Sequence, residues 1–178
     1  MMYPVRNPPV VSGARTDSKT RNRILWDSIP YTPGYVEAVA YSYGSPKPVA
    51  RHRIETAGKP VKLGMTCDNM QWKADGKDLQ HIRVEALDSK ERRVYGADAR
   101  IEFSINGPAE IVGVINGDIT SEELTVGDSR RLYNGTVTAI LRSTGVPGKV
   151  TVKAVADGMK PAVTVIDTKE SPDAVTAL

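Results

Sequence analysis

No stretch of this chain repeats apolar residues at the i, i+3, i+4, i+7 spacing of a sustained helix, so helix is expected to be nearly absent. What recurs is short runs rich in Val, Ile and Thr that alternate with period two. They stop about every ten residues at glycine or proline. The 15 glycines and 12 prolines of the 178 residues therefore read as punctuation between strands. Successive side chains of a strand point to opposite faces, so such alternation specifies sheets with one buried side.

The pattern divides the chain. Residues 1–22 read as a flexible leader, and Arg23-Ile24-Leu25-Trp26-Asp27 as a short apolar run ended by Pro30 and the turn formers Pro33-Gly34. Tyr35 to Tyr43 reads as a strand with Tyr35, Val39 and Tyr41 on one face and Val36, Ala38 and Ala40 on the other. Both faces are apolar enough to predict cover on two sides. Gly44-Ser45-Pro46 turns the chain into a third candidate, Val49 to Thr56. Three strands are too few to close a sandwich. Residues 23–58 are thus expected to be the C-terminal part of a preceding β-module, incomplete here, with strand edges open to self-association.

After the linker Ala57-Gly58-Lys59-Pro60 the alternation becomes clean. The inward sets are Val61, Leu63 and Met65; Ile82, Val84 and Ala86; Ile101, Phe103 and Ile105; Val137, Ala139 and Leu141; and Val150, Val152 and Ala154. Ile111 to Ile115 and Ala162 to Ile166 are further strands. Turns are expected at Asp75-Gly76, Asp88-Ser89-Lys90, Asn106-Gly107-Pro108, Asn116-Gly117-Asp118 and Val146-Pro147-Gly148. Residues 119–134 read as a polar connection long enough to cross between sheets in a Greek key. Seven or eight strands in residues 59–167 predict an all-β, immunoglobulin-like Greek-key sandwich, followed by a loose tail over 168–178. Ile82, Val84, Phe103, Ile105, Val137, Val150 and Val152 should form its centre.

Charge and composition exclude several classes. Arg6, Arg15, Lys19, Arg21 and Arg23, against Asp17, carry +4, and the remainder is nearly neutral at −1, which gives the net charge of +3. A nucleic-acid binder places its basic surface on the folded module, with aromatics to stack on, so nucleic acid is not the expected partner. No window approaches the roughly 18 consecutive apolar residues of a membrane helix, and membrane insertion is not expected. The first residues show no apolar signal-peptide core and no small-residue cleavage site. The single cysteine, Cys67, precludes an internal disulfide or a multi-cysteine zinc site, and two histidines, His52 and His81, offer little for metal or base chemistry.

The chemistry-bearing motifs are missing as well. There is no Gly-x-Ser-x-Gly, no His-Glu-x-x-His and no phosphate-binding Gly-x-x-x-x-Gly-Lys. Asp75-Gly76-Lys77-Asp78 lacks the spacing and closing Glu of a calcium loop and reads as a turn. Glu122-Glu123 and Asp118 with Asp128 fall in the polar connection, where solvated carboxylates are expected. No catalytic, metal or cofactor site is anticipated. Trp72, at a strand edge, reads as a lid on the sandwich end, or else as a platform for a sugar ring.

Four segments together carry a resemblance. Trp26-Asp27-Ser28-Ile29-Pro30-Tyr31-Thr32-Pro33-Gly34-Tyr35-Val36-Glu37-Ala38-Val39-Ala40-Tyr41 resembles the "W-x-V-P-Y-x-P-G-x-L-x-A-V-A-Y" stretch beyond the catalytic barrel of bacterial family 2 glycoside hydrolases of the β-galactosidase type. Thr56-Ala57-Gly58-Lys59-Pro60 is similar to the junction that follows there. Gly107-Pro108-Ala109-Glu110-Ile111-Val112-Gly113-Val114-Ile115-Asn116-Gly117-Asp118 and Tyr133-Asn134-Gly135 are similar to segments of the last immunoglobulin-like domain. Nothing before Trp26 resembles the hairpin "V-E-L-F-L-N-G-K-S-L-G" of the family's preceding module.

The resemblance implies a non-catalytic accessory region of a secreted or periplasmic glycosidase whose catalytic glutamates lie on a barrel upstream. Its expected partners are the other domains of that enzyme, the barrel and the preceding sandwich. Trp26, Tyr31, Tyr35, Val39 and Tyr41 are the expected packing surface. A carbohydrate-binding module is the alternative, with polysaccharide as partner and Trp72 and Tyr133 as contact candidates. A third reading is a bacterial immunoglobulin-like adhesin or spacer, although no second copy of the domain occurs in the sequence.

Overall fold

The structure, a computed structural model, describes residues 30–68 and 71–171. The described residues form eleven strands and no helix. The chain divides into two units, Met1–Thr56 and Ala57–Leu178.

In the first unit, β1 (Tyr35–Tyr41) and β2 (Pro48–Glu55) form an antiparallel hairpin. Tyr35 lies opposite Glu55 and Ala40 opposite Ala50, with a bulge between Ala40 and Tyr41. Thr56 N donates to Gly34 O at 2.7 Å and Gly34 N donates to Thr56 Oγ1 at 3.0 Å, closing the open end. No described residue of this unit is buried. The Arg23–Asp27 run lies outside the described residues.

The second unit contains β3 (Lys62–Cys67), β4 (Trp72–Ala74), β5 (Leu79–Leu87), β6 (Arg100–Asn106), β7 (Ala109–Ile115), β8 (Ser129–Arg131), β9 (Thr136–Ser143), β10 (Gly148–Val155) and β11 (Ala162–Glu170). One sheet runs β3-β5-β9-β7 and the other β4-β11-β10-β6-β8. The first follows the order A-B-E-D of immunoglobulin domains. The second follows C-F-G through β6, β10 and β11. β4 joins it in parallel with β11, and β8 extends it beyond β6. The all-β immunoglobulin-like sandwich is therefore present, with nine strands.

Three details differ from the sequence expectation. β4 and β8, three residues each, are strands where a strand edge and a polar connection were expected. β11 runs to Glu170, so residues 168–170 are not a loose tail. Thr168 is buried there, and its Oγ1 accepts from Gly148 N at 2.9 Å, extending the β10–β11 pairing. The division between units falls after Thr56 rather than after residue 58. Residues 172–178 lie outside the described range.

Alternation places the core as expected. Ile82, Val84, Val137, Leu141, Val150, Val152 and Ile166 are fully buried, with Phe103 beside them and Ile105 packed at the margin. Each such side chain contributes about 1.5–3 kcal/mol on burial. Gly135 shows how tightly the turns fit this core. Asn134 (φ 50°) and Gly135 (φ 72°) form the type I′ turn between Tyr133 and Thr136, which bond in both directions. A Cβ on Gly135 would collide with the Val94 carbonyl.

The entrance to the sandwich is pinned by one carboxylate. Asp88 is almost wholly buried. Its Oδ2 accepts from Gly58 N at 2.7 Å and Arg92 Nε at 2.9 Å, and its Oδ1 accepts from Lys90 N at 2.8 Å and Arg92 N at 3.0 Å. The Gly58 amide and the Arg92 guanidinium hold its pKa well below the usual carboxylate range. The residue read from sequence as a plain turn former is thus the anchor that fixes where the sandwich begins.

Candidate functional site

The residues that could contact sugar separate at once. Trp72 is 0% exposed and belongs to the central core, its Nε1 donating to Asp78 O at 3.0 Å. An indole satisfied and enclosed in this way offers no ring face to a pyranose, so the carbohydrate-contact expectation for Trp72 is corrected to a core role. It is neither a lid nor a platform. The Asp75 turn beside it keeps the indole in place: Asp75 Oδ1 accepts from Lys77 N at 2.8 Å and Asp78 N at 2.6 Å. Those bonds lower the Asp75 pKa, the one from Asp78 most.

Tyr133 remains exposed, at the start of the type I′ turn. The turn also abuts Tyr95, whose Cα lies 3.3 Å from the position a Gly135 Cβ would take. Tyr95 is exposed, with the Arg93 guanidinium stacked 4.1 Å from its ring centre. Two tyrosines thus share one corner of the sandwich, and one of them already has a face covered by a cation.

Among the described residues no group of three His, Cys, Asp or Glu is placed to hold a metal ion. His81 Nδ1 lies 3.2 Å from Asp68 Oδ2, and His52 is exposed on the hairpin. A polar depression of about 500 Å3 is lined by Glu102, Ser104, Asp128, Ser129 and Lys153, without an exposed aromatic floor. Asp118 and Glu123, at the polar connection, are engaged in building it. Asp118 Oδ1 accepts from Thr120 Oγ1 at 2.7 Å and Thr120 N at 2.9 Å, bonds that lower its pKa. Glu123 pairs with Arg100 at 2.9 Å.

That connection holds the feature sequence reading missed. Arg130, in β8, is buried, and its Nη1 donates to Glu123 O at 3.0 Å and Leu124 O at 3.2 Å. Val114 N donates to Thr125 O at 2.7 Å, tying the loop back to β7. The braced loop holds Ile119, Leu124 and Val126 in solvent at 99%, 80% and 78% exposure. An ordered loop that displays three aliphatic side chains is a surface suited to a partner. The available signal was apolar residues scattered between acidic ones, which composition averaged into "polar".

The packing residues expected on the hairpin fall mainly on one side of it. Directly paired residues share a face. Tyr35 and Val39 therefore lie with Glu37, Arg51, Arg53 and Glu55. Arg51 pairs with Glu37 at 3.4 Å, Arg53 with Glu55 at 2.6 Å, and the Arg53 guanidinium covers Tyr35 at 3.7 Å. Tyr31 and Tyr41 are exposed, and Trp26 lies outside the described residues. The other face carries Val36, Ala38, Ala40, Ala50 and Ile54, with His52 as its polar member.

An immunoglobulin-like sandwich in which Asp75, Asp88 and Asp118 build turns and Glu123 an ion pair is the class this geometry defines. Comparison with known proteins gives the family: glycoside hydrolase family 2 C-terminal domain 5 matches residues 63–165, from β3 into β11. The chain belongs to this family. It is 35% identical over 147 residues to the β-galactosidase BoGH2A of Bacteroides ovatus, covering 83% of this chain and 17% of that enzyme. A β-glucuronidase of Formosa agariphila is 29% identical over 145 residues, covering 73% of this chain and 15% of that enzyme. The crystal structure of a glycosyl hydrolase family 2 member from Bacteroides cellulosilyticus superposes with a TM-score of 0.76 at 33% identity, covering 84% of this chain and 20% of that one. The chain thus spans about a fifth or less of the length of these relatives.

Proposed function

We propose that this chain is a non-catalytic, structural accessory region of a β-galactosidase-like family 2 glycoside hydrolase, packing against the other domains of that enzyme. The observation that carries the reading is the confinement of the match to a C-terminal domain, 17% of a relative's length. The braced aliphatic loop supports a docking role, and the hairpin supports one for the first unit. The parent acts in carbohydrate breakdown, secreted or periplasmic. Its sugar is not set by this region, since relatives named for galactosides and for glucuronides match the same part.

The test is hydrolysis of aryl β-galactoside and aryl β-glucuronide by the purified chain, with no turnover expected. Turnover that a single carboxylate-to-amide substitution abolishes would overturn the reading. The Tyr133–Tyr95 corner favours one alternative, a weak sugar contact. Retardation on polysaccharide gels that Tyr133→Ala removes would place polysaccharide binding ahead of domain packing.

A further inference from the structure

One inward position of the sandwich carries an amide where its neighbours carry alkyl groups. In β5 the side chains of Gln80, Ile82, Val84 and Ala86 all face the core, and Gln80 is 1% exposed. Neither its Oε1 nor its Nε2 has a hydrogen-bond partner among the described residues. Arg93 and Arg130 each leave only the buried Nε unpaired while their Nη1 atoms are bonded, so among the described residues Gln80 alone leaves its whole functional group unmet. A buried amide that has given up its bonds to water without replacement is costly. The backbone beside it has nothing to offer. Asp78 O, two residues earlier, already accepts from Trp72 Nε1 at 3.0 Å and from Ser143 N at 3.2 Å, which uses both carbonyl lone pairs.

We propose that Gln80 and Ser143 hold an internal water molecule between them, at the end of the core where β5 begins and β9 stops. Gln80 lies opposite Leu141, and Ser143 is the next inward residue of β9, so the two are diagonal neighbours on one face. Such neighbours stand about 7–8 Å apart, a span that a long side chain and one water cover together. Ser143 is buried as well. Its Oγ accepts from Gly76 N at 3.2 Å, and no described group takes its hydroxyl proton. The pair thus offers an acceptor and a donor from Gln80 and a hydroxyl from Ser143, the polar partners that a buried water requires. Serine is also shorter than the Leu141 before it in the row, which leaves room at that point. Both groups are uncharged, so a small neutral molecule that donates and accepts suits them better than an ion. The water ties β5 to the same end of β9 that bonds Gly76 and Asp78, and so takes part in closing the sandwich beside Trp72. The inference goes beyond the accessory role: it holds whether or not the chain serves a glycosidase.

The test is water–protein NOE and ROE spectroscopy on the full chain. Cross-peaks with the signs of a long-lived bound water are expected from the Gln80 side-chain amide protons, and they should weaken several-fold in Ser143→Ala. Amide protons that meet no water would overturn the proposal, as would a water signal that Ser143→Ala leaves unchanged. A crystal structure of the unaltered chain provides a readout that needs no variant. One water within hydrogen-bond distance of both Gln80 and Ser143 is expected, and a Gln80 amide bonded directly to protein would overturn the site. Thermal midpoints supply the third arm. Gln80→Met keeps the length of the side chain and removes both polar atoms, and either it or Ser143→Ala alone releases the water. Their shifts should therefore be non-additive in the double variant, and additive shifts would overturn the bridge.

Discussion

The β1–β2 hairpin and the sandwich that follows it are written in the same kind of strand, short, β-branched and alternating, yet only one of them has an inside. In the sandwich every inward set meets a second sheet, and Ile82, Val84, Val137, Leu141, Val150 and Val152 are closed off from water. Among the described residues of the hairpin's unit, none is buried. An isolated two-stranded hairpin is marginal in water at best. Alternation therefore specifies which residues can be buried. The second layer decides whether they are.

The comparison can be broken most severely in the core. Val84→Asp or Val150→Asp places a carboxylate where nothing can pair with it, at a cost of several kcal/mol against a whole-domain stability of about 5–15 kcal/mol. The sandwich should lose its cooperative urea transition. Arg83→Glu and Lys153→Glu, at exposed positions of the same two strands, should stay within about 0.5 kcal/mol of the parent. Val36→Asp in the hairpin should leave the sandwich transition unmoved. A shift there would couple the two units.

Trp72→Ala should come next, costing about 3–5 kcal/mol in urea unfolding, as for other buried aromatics. Tyr133→Ala, exposed, should cost under about 1 kcal/mol. The order reverses what a sugar-platform reading of Trp72 would require.

Turn glycines provide a finer contrast. Gly158→Ala, at φ 74° with open space around it, should cost only the left-handed penalty of about 1–2 kcal/mol. Gly135→Ala adds a collision with the Val94 carbonyl and should cost more, visible as a lower thermal midpoint than Gly158→Ala.

The smallest effect is a pH dependence. The folded-state pKa of Asp88 is depressed by the Gly58 amide and Arg92, so its stabilisation is present above the unfolded value of about 3.9 and is lost as pH falls below it. Thermal midpoints of the parent and Asp88→Asn should differ at neutral pH, and the gap should begin to narrow below about pH 4 and close only toward the depressed folded-state value. A gap of constant size from neutral pH down into strong acid would show that the carboxylate charge is not what holds the junction.

Much of this was legible in the sequence, because the period-two sets Ile82/Val84/Ala86 and Val137/Ala139/Leu141 need only a partner sheet to become a core. The resemblance carried in Trp26–Tyr41 and Gly107–Asp118 pointed to the family the comparisons identify. The rest depended on contacts far apart in the chain. β4 and β8 are too short for alternation to register, and each exists because a long neighbour, β11 or β6, supplies its partners. Arg130 reads as an outward residue until two loop carbonyls are found to satisfy it. Thr168 reads as tail until Gly148 bonds it. The two faces of the hairpin look alike in β1 alone, and only the register that brings Arg51 and Arg53 opposite Val39 and Glu37 tells them apart.

The central claim is that the sandwich holds a complete hydrophobic core of its own. It is tested most directly by melting residues 57–171 alone beside the full chain. The account predicts one cooperative transition in each, at the same midpoint. A 57–171 fragment that fails to fold, or melts well below the full chain, would contradict it and make the first unit part of the domain's own core.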